Sequence, residues 1–238
     1  YDSEEALRLA EKTMKLVTEE ARERSVELGE ERGSFPNFDR SIWKDKYRAM
    51  RNATVTTIAP TGSISIIAGC SSGIEPLFAI SFIRNVLGGT RLFEINPLFE
   101  MTVKDRGLYS AKLLEEIAGT GSVREIEGIP EDIKRIFVTA LDIQPEWHVR
   151  TQAAFQKYTD NAVSKTVNLP FEASVEDVRR VFELAWKIKC KGITVFRYGS
   201  KPEQVLYTGE IRTEKRKFVS AESEYAGGCP TKTCPFPN

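Results

Sequence analysis

The sequence predicts an α/β fold, and three patterns of residues support this prediction. A short β-branched run at residues 163–169, an amphipathic helix after it and a second run at 193–197 form a strand–helix–strand unit. Such a unit joins parallel strands by a right-handed crossover. Another β-branched run, at residues 53–59, leads into small residues and a short helix. A long amphipathic stretch at residues 3–29 adds a helix with one apolar face.

The first predicted element is this helix over residues 3–29, in which apolar residues recur at intervals of three and four. Asp2 is predicted to cap its start, with Glu5 three residues later completing the capping pattern. Gly29 and Gly33 are predicted to end it, because glycine readily adopts the backbone angles found after a helix.

The middle of the chain is predicted to be mainly helical. Residues 53–59 are expected to form a short buried strand, and residues 64–68 a short helix. Asn96-Pro97 opens another helix, which Gly107 closes. Residues 108–142 contain two or three further helices, separated by glycines and a proline. The expected breakers are Gly119, Gly121, Gly128 and Pro130.

Residues 144–197 have the clearest element boundaries. Pro145 is predicted to start a helix, because proline is favoured in the first helical turn. Ser174 and Asp177 are predicted to cap the next helix through a capping box. The apolar side of that helix is expected to contain Val178, Val181, Phe182, Ala185 and Ile188.

Composition excludes several classes of function. The 34 basic and 34 acidic residues give a net charge of zero, which argues against a surface built for nucleic acid. No apolar stretch approaches the roughly 18–20 residues needed to span a membrane, so no membrane partner is expected. Four cysteines are too few for a disulfide scaffold, which favours the reducing cytoplasm. Because the chain starts at Tyr1 without an initiator Met, we expect a piece of a longer protein.

The strand–turn–helix at residues 53–68 is the first candidate site. Its small residues let backbone amides approach a ligand, and a helix start adds about half a positive charge. This arrangement binds phosphate without basic side chains, although no Gly-Lys-Ser/Thr is present, so it is not a P-loop. The alternative is a tight turn that ends a core strand. The candidate phosphate-binding residues are Pro60, Thr61, Gly62, Ser63, Ile64 and Ser65.

The second candidate site is the pair Cys229 and Cys234 in a predicted flexible tail, residues 207–238. Two thiols on a mobile arm can reduce a buried disulfide by thiolate exchange. Two thiolates are also half of a tetrahedral zinc site, so metal binding by this pair stays open. We expect no metal site elsewhere in the chain.

Other reactive side chains are expected to be structural. Cys70 and Cys190 are predicted to be buried small side chains, with substrate contact as the alternative for Cys70. His148, the only histidine, is expected to have a packing or surface role rather than a catalytic one. A polar cluster lies between the predicted helix that starts at Pro145 and the predicted strand at 163–169. It is expected either to anchor the turn or to contact cofactor or substrate. It comprises Asp160, Asn161, Ser164 and Lys165.

Four stretches occur in an order that is typical of one enzyme family. They are ATVTTIAPTGSISIIAGCSSGIEP at 53–76, PEWHVRTQAAFQ at 145–156, YTDNAVSKTVN at 158–168 and KGITVFR at 191–197. Together they resemble the adenosylcobalamin-dependent (class II) ribonucleotide reductases. The resemblance runs from about residue 30 to residue 206, and it places the chain in the C-terminal part of the catalytic subunit.

This resemblance implies a fold, a reaction and partners. The fold is a ten-stranded α/β barrel, with a helical lead-in at 1–50, part of the barrel at 51–206 and a flexible tail at 207–238. The reaction replaces the ribose 2′-OH of a ribonucleotide by hydrogen through radical chemistry, with adenosylcobalamin as cofactor. In the family, the loop matching residues 60–64 holds the substrate phosphates. Partners would be the upstream part of the same enzyme and a thioredoxin-like reductant, and a homo-oligomer is compatible with the resemblance.

The resemblance also implies residues that this chain lacks. The family's radical cysteine lies in an Asn-x-Cys-x-Glu pattern, whereas Cys70 has Ala68 and Ser72 at those offsets, and the other cysteines do not match either. We therefore expect the catalytic cysteine upstream, no catalytic residue here, and no reduction by this chain alone. The tail cysteines are four residues apart rather than two, which departs from the family's Cys-x-x-Cys. The alternatives are a stand-alone nucleotide-binding α/β module and a complementing half of a split enzyme.

Overall fold

The structure is a computed structural model that describes residues 1–85 and 91–200. These residues form seven α-helices, one 3₁₀ helix and four strands. They divide into two compact units, which are described separately below. Of the described residues, the first unit contains 1–60, 144–167 and 173–195, and the second contains 61–85, 91–143, 168–172 and 196–200.

Helix α1 (Glu4–Arg32) opens the first unit, close to where the apolar periodicity predicts it. Its N-cap is Ser3, whose hydroxyl accepts a hydrogen bond from the amide of Ala6 at 3.1 Å. The prediction of Asp2 as the cap is therefore wrong by one residue. The helix ends at Gly33, which has a φ of 83°.

Gly29, predicted to end this helix, lies within it. A Cβ atom added here would lie 2.8 Å from the amide nitrogen of Met50, closer than such atoms approach in real structures. The segment that contains Met50 and Arg51 passes over α1 at this point, and a hydrogen bond from the Arg51 amide to the carbonyl of Ser25, at 2.8 Å, holds it there. Gly29 is therefore explained by close backbone contact rather than by helix termination.

Helices α6 (Pro145–Gln156) and α7 (Val175–Lys187) complete the helical part of the first unit. Helix α6 packs against both α1 and α7. The predicted start at Pro145 is confirmed, and so is the capping box formed by Ser174 and Asp177. Phe182, predicted on the buried side of α7, is half exposed. The buried residues of this helix are Val181 and Ala185, so its buried face is narrower than predicted. The apolar core of this unit includes Leu7, Met14, Val149, Ala154, Val181 and Ala185.

Strands β3 (Thr166–Leu169) and β4 (Thr194–Arg197) pair with each other, and α7 lies between them in the sequence. This confirms the predicted strand–helix–strand unit. The amide of Tyr198 donates to the carbonyl of Leu169 at 2.9 Å. Both strands therefore end side by side and run in the same direction. Each strand is shorter than predicted.

The prediction of a buried strand at residues 53–59 is wrong. This segment makes a single parallel bridge, between Ile58 and Val163, and only Thr56 is buried. β-Branched residues are favoured in sheets, but a strand also needs a neighbouring strand to bond with. Among the described residues, the backbone bonds of this segment go only to residues 161–164.

The second unit contains six described elements and an apolar cluster. The elements are α2 (Gly62–Ala68), β1 (Ser81–Asn85), β2 (Arg91–Ile95), α3 (Pro97–Asp105), α4 (Ala111–Thr120) and α5 (Glu131–Ile136). Helices α3, α4 and α5 contribute to the cluster, which includes Ile80, Phe99, Val103, Ile117, Val123, Ile133 and Phe137. The rings of Phe99 and Phe137 meet edge to face, with centroids 5.2 Å apart.

Most local sequence signals in this unit agree with the observed element boundaries. The side chain of Asn96 caps α3 by accepting from the Phe99 amide at 3.0 Å. Gly121 ends α4 in the left-handed conformation, whereas Gly119 lies inside the helix instead of breaking it. The antiparallel pairing of β1 with β2, in which Ser81 lies opposite Ile95, was not predicted.

An α/β fold is therefore present, but a closed barrel is not visible in the described residues. These contain two two-stranded sheets, β1–β2 and β3–β4. Across residues 1–85 and 91–200, no helix has the length and apolar character needed to cross a membrane.

Candidate functional site

The predicted phosphate-binding loop, residues 60–65, runs directly into helix α2. Thr61 has a φ of 55°, an uncommon angle for a β-branched residue. Its carbonyl accepts from the amide of Ser65 at 2.9 Å, and its hydroxyl oxygen accepts from the amide of Gly73 at 3.0 Å. Thr61 therefore starts the helix and ties the loop to the segment after it.

Three backbone N–H groups at the start of α2 have no acceptor in the described part of the chain. The amides of Gly62, Ser63 and Ile64 have no acceptor four residues earlier in the helix. In the described part of the chain, no side chain or loop carbonyl accepts from them either. All three residues are exposed. The loop can therefore present these amide donors to an anion.

The side chains of the loop contribute unequally. Ser65 is buried, and its hydroxyl donates to the carbonyl of Gly62 at 2.8 Å, so it supports the loop from inside. Ser63 is exposed, which leaves its hydroxyl accessible. A Cβ atom added to Gly62 would meet nothing within 4 Å, so space remains beside the amides.

The two described cysteines differ in environment. The prediction that Cys70 is buried is wrong: it is exposed, in a turn that follows Gly69, which has a φ of 63°. Cys190 is partly buried, with its sulfur 3.9 Å from the carbonyl oxygen of Val149. Burial raises the pKa of the Cys190 thiol to about 11, which keeps it protonated at neutral pH. This fits the structural role predicted for Cys190.

His148 and Lys165 form a buried pair that sequence reasoning missed. Both side chains are almost fully buried, and the Lys165 Nζ lies 2.9 Å from the His148 Nδ1. Lys165 also donates to the carbonyl of Thr166. Which of the two nitrogens donates depends on the tautomer of the imidazole ring. Of the packing and surface roles predicted for His148, its burial supports packing.

Asp160 joins several segments of the first unit. Its Oδ1 accepts from the Arg22 guanidinium at 2.6 Å, and its Oδ2 accepts from the Val55 amide at 2.9 Å. Its own amide donates to the hydroxyl oxygen of Thr56 at 3.1 Å. For Asp160, the turn-anchoring alternative is therefore the one that the contacts support. No local pattern could reveal Arg22, which lies 138 residues away.

Helix α6 presents an unusual row of buried polar side chains. The amide group of Gln152 donates to the carbonyls of Val163 and Gly192, at 3.2 and 2.7 Å. Gln156 makes two similar bonds to the turn that follows the helix, through the carbonyls of residues 159 and 161. The bonds of Gln152 tie α6 to the segments that lead into β3 and β4.

Other predicted sites lie outside the described residues or have no counterpart among them. Cys229 and Cys234 fall in the part of the chain that is not described. In residues 1–85 and 91–200, no three His, Cys, Asp or Glu side chains are grouped to hold a metal ion. A groove of about 260 Å³ between α6 and α7 is lined by charged side chains, including Glu146, Arg180 and Glu183.

Comparison with known proteins gives one consistent family. The chain matches the family described as ribonucleotide reductase, barrel domain, over residues 1–50 and 44–196. The vitamin B12-dependent ribonucleoside-diphosphate reductase of Thermoplasma acidophilum is 46% identical, over 98% of this chain and 32% of that protein. The Mycobacterium tuberculosis protein of the same name is 48% identical, over 99% of this chain and 33% of its own length. The chain thus spans about a third of these relatives.

A solved structure supports the same fold. The Actinobacillus ureae class Id ribonucleotide reductase alpha subunit aligns with a TM-score of 0.69 and 24% identity. The alignment covers 83% of this chain and 35% of that chain. At this level of identity the similarity concerns the fold alone.

Proposed function

The chain belongs to the ribonucleotide reductase barrel-domain family, and from this premise we propose that it forms part of an enzyme that reduces ribonucleotides to deoxyribonucleotides. The substrate class is the ribonucleoside diphosphate, following the names of the relatives at 46% and 48% identity. The same names favour adenosylcobalamin as cofactor, which would supply the radical while the protein positions the substrate.

The role proposed for this chain is to bind the substrate phosphates through residues 60–65. The observation behind it is that Gly62, Ser63 and Ile64 are exposed residues whose amides have no acceptor in the described part of the chain. Amides at a helix start attract anions by hydrogen bonding and by the partial positive charge of the helix end. This mode needs no basic side chain and agrees with the zero net charge.

Neither His148 nor the groove between α6 and α7 is suited to hold the cofactor. The His148 Nδ1 is already bonded to Lys165, and the ring is fully buried, so this histidine is not placed to bind a corrinoid metal through that atom. The groove between α6 and α7 is charged and has a volume of about 260 Å³, below the usual range for pockets of larger ligands. We therefore assign no step of the reaction to cofactor contacts by these residues.

Further parts of the proposal concern the rest of the enzyme. Strands β3 and β4 would take their places in a ten-stranded barrel with strands from outside the described residues. Cys229 and Cys234 would act as a thiol pair in a tail at 207–238, re-reduced by a thioredoxin-like partner. The helical lead-in at 1–50 and the partial barrel at 51–206 remain predictions. The cysteine content favours the cytoplasm as the compartment.

The overall function is tested by complementation. The chain is mixed with the portion of the Thermoplasma acidophilum relative that lies outside the match, together with adenosylcobalamin, a dithiol and cytidine 5′-diphosphate. We expect deoxycytidine diphosphate from the mixture and none from either part alone. Nucleotide binding by this chain without any reduction in the mixture would favour the stand-alone binding module and contradict the proposal.

The phosphate loop is tested separately by calorimetric binding of cytidine 5′-diphosphate. The double variant Thr61→Ala/Ser63→Ala removes the tie to Gly73 and the exposed hydroxyl, so we expect at least about tenfold weaker binding. A matched control is Ser122→Ala, elsewhere in the same unit, which should bind like the parent chain. Equal affinity of the double variant and the parent would refute the loop assignment.

A further inference from the structure

Helix α7 exposes three large apolar side chains that the proposed function does not use. Val175 is 88% exposed, Phe182 50% and Trp186 73%. They are separated by seven and four residues, so they form a single row along the helix, called here the exposed α7 row. The row extends from the first turn of α7 to the last, about 16 Å at a rise of 1.5 Å per residue.

The exposed α7 row continues the apolar side that packs inside the first unit. Val181 and Ala185 are buried, and each directly precedes a member of the row, a step of about 100° around the helix. Helix α6 packs against α7, and Val181 lines the groove between them. The apolar side of α7 is therefore wider than the part that is buried.

The opposite side of α7 is polar, which shows that the row is not a general feature of this helix. Arg179 pairs with Glu176 at 2.6 Å and with Glu183 at 3.0 Å. Lys187 pairs with Glu183 at 4.0 Å. These charged side chains are exposed, as is usual for a helix side in contact with water. Apolar residues at the positions of the row indicate that its side of the helix contacts another protein element.

The size of the exposed apolar area supports the same interpretation. At roughly 150–250 Å² per aromatic side chain, the exposed fractions of Phe182 and Trp186 leave on the order of 250 Å² in water. The two residues are one helical turn apart, so these areas adjoin. Lys189 lies 5.6 Å from the centre of the Trp186 ring, yet most of that side chain stays exposed. With Val175 added, the area approaches the largest apolar patches of typical monomers, which often mark interaction sites.

From these observations we propose that the exposed α7 row docks an amphipathic helix from the part of the same enzyme that lies outside this chain. The proposal rests on the proposed function, and it names the surface through which the chain joins the rest of the enzyme. The chain spans about a third of its relatives, so most of the enzyme remains available to supply that helix. In an α/β barrel the helices form an outer ring, in which each helix packs between two others. Helix α6 is one neighbour of α7, and the docked helix would be the other.

Hydroxyl-radical footprinting, read by mass spectrometry, tests this docking surface because it oxidises exposed aromatic side chains. Two proteins are compared: this chain alone, and a chimeric Thermoplasma acidophilum reductase in which this chain replaces the segment that it matches. We expect Phe182 and Trp186 to be oxidised at least about fivefold more slowly in the chimeric enzyme, where the docked helix would bury both. Equal oxidation in the two proteins would overturn the proposal. Protection in the chain alone would also overturn it, because the chain itself or a second copy would then cover the row.

Association in trans is a second measurement, which decides the matter should the chimeric enzyme fold poorly. The chain is titrated with the remaining portion of the Thermoplasma acidophilum protein and followed by sedimentation velocity. Phe182→Gln/Trp186→Gln removes the aromatic part of the row, so we expect at least about tenfold weaker association. The matched control, Glu183→Gln/Lys187→Gln, removes one exposed ion pair from the polar side of the same helix and should associate like the parent. Equal association of the two double variants, or none by the parent chain, would contradict the proposal.

A failure of docking can be distinguished from misfolding and from a failure of the proposed reaction. In the chain alone, Phe182→Gln/Trp186→Gln should keep its Tm within about 2 °C of the parent, because both side chains are exposed there. Association without reduction of cytidine 5′-diphosphate would contradict the proposed function and leave the docking surface supported. Reduction by a chimeric enzyme in which Trp186 is oxidised as fast as in the chain alone would support the function and refute the docking surface.

Discussion

Two glycines in helices are expected to respond in opposite directions to the same substitution. Gly29 lies in α1 and Gly119 in α4, and neither has a positive φ, so alanine suits the backbone at both. Alanine is favoured over glycine inside a helix by about 1 kcal/mol. Propensity alone therefore predicts that both substitutions stabilise the protein.

Packing reverses this expectation at Gly29. Its added Cβ would lie 2.8 to 2.9 Å from three backbone atoms of Met50 and Arg51, whereas at Gly119 nothing lies within 4 Å. Because the obstacle is backbone, it cannot move like a flexible side chain. Overpacking costs about 1–3 kcal/mol, and the shift also threatens the bond from Arg51 to Ser25. Because three backbone atoms lie within 3 Å of the added Cβ, the cost should fall in the upper part of that range, about 2–3 kcal/mol. We therefore expect Gly29→Ala to destabilise by about 1–2 kcal/mol, after subtracting the gain in propensity of about 1 kcal/mol.

Thermal unfolding followed by circular dichroism measures both variants. We expect the Tm to fall by roughly 2–8 °C for Gly29→Ala and to rise by about 1–4 °C for Gly119→Ala. Gly119 lies near the end of its helix, so its gain should be at the lower end of that range. A rise in Tm for Gly29→Ala would refute the close contact between Gly29 and the backbone of Met50 and Arg51.

The remaining predictions concern titratable groups. We expect iodoacetamide at pH 7.5 to alkylate Cys70 much faster than Cys190, as followed by peptide-resolved mass spectrometry. The raised pKa of Cys190 lowers its thiolate fraction about a hundredfold relative to an ordinary thiol. Equal alkylation rates would contradict the burial of Cys190. Hydrogen bonds from the hydroxyl and amide of Ser174 lower the pKa of Asp177. The ionised carboxylate therefore contributes its full stabilisation of α7 when the pH is above the ordinary carboxyl pKa of about 3.9. This stabilisation is lost as the pH falls through the lowered pKa. Exchange at the start of α7 should accelerate over that acidic range, and Asp177→Asn should lack the step.

Helix boundaries were the most predictable part of the fold, because their signals are local. The capping box of Ser174 and Asp177 and the start at Pro145 each depend on residues within one helical turn. The error at α1 is of the same kind: Asp2 and Ser3 are both good caps, and only the backbone geometry decides between them.

Contacts between distant segments could not be predicted from a single sequence. The bonds that join Asp160 to Arg22 and to Val55 span 138 and 105 residues. The β-branched run at 53–59 shows that propensity reports suitability for a sheet and not the presence of a partner strand. The β1–β2 pairing did leave a signal, the Gly88-Gly89 pair between two short runs that contain aromatic and β-branched residues.

The candidate site was predictable in outline and not in detail. Small residues before a short helix indicate accessible amides, and Gly62, Ser63 and Ile64 are exposed residues. Their binding of phosphate stays a prediction. The left-handed conformation of Thr61 and its bond to Gly73 depend on the folded loop, and no residue pattern indicates them.

The central claim is that the amides at the start of α2 bind the phosphates of a ribonucleotide. Titrating the ¹⁵N-labelled chain with cytidine 5′-diphosphate, and separately with cytidine, tests it most directly by nuclear magnetic resonance. We expect the amide signals of Gly62, Ser63 and Ile64 to shift with the diphosphate and not with cytidine. Unmoved loop amides, or shifts confined to the groove between α6 and α7, would contradict the claim.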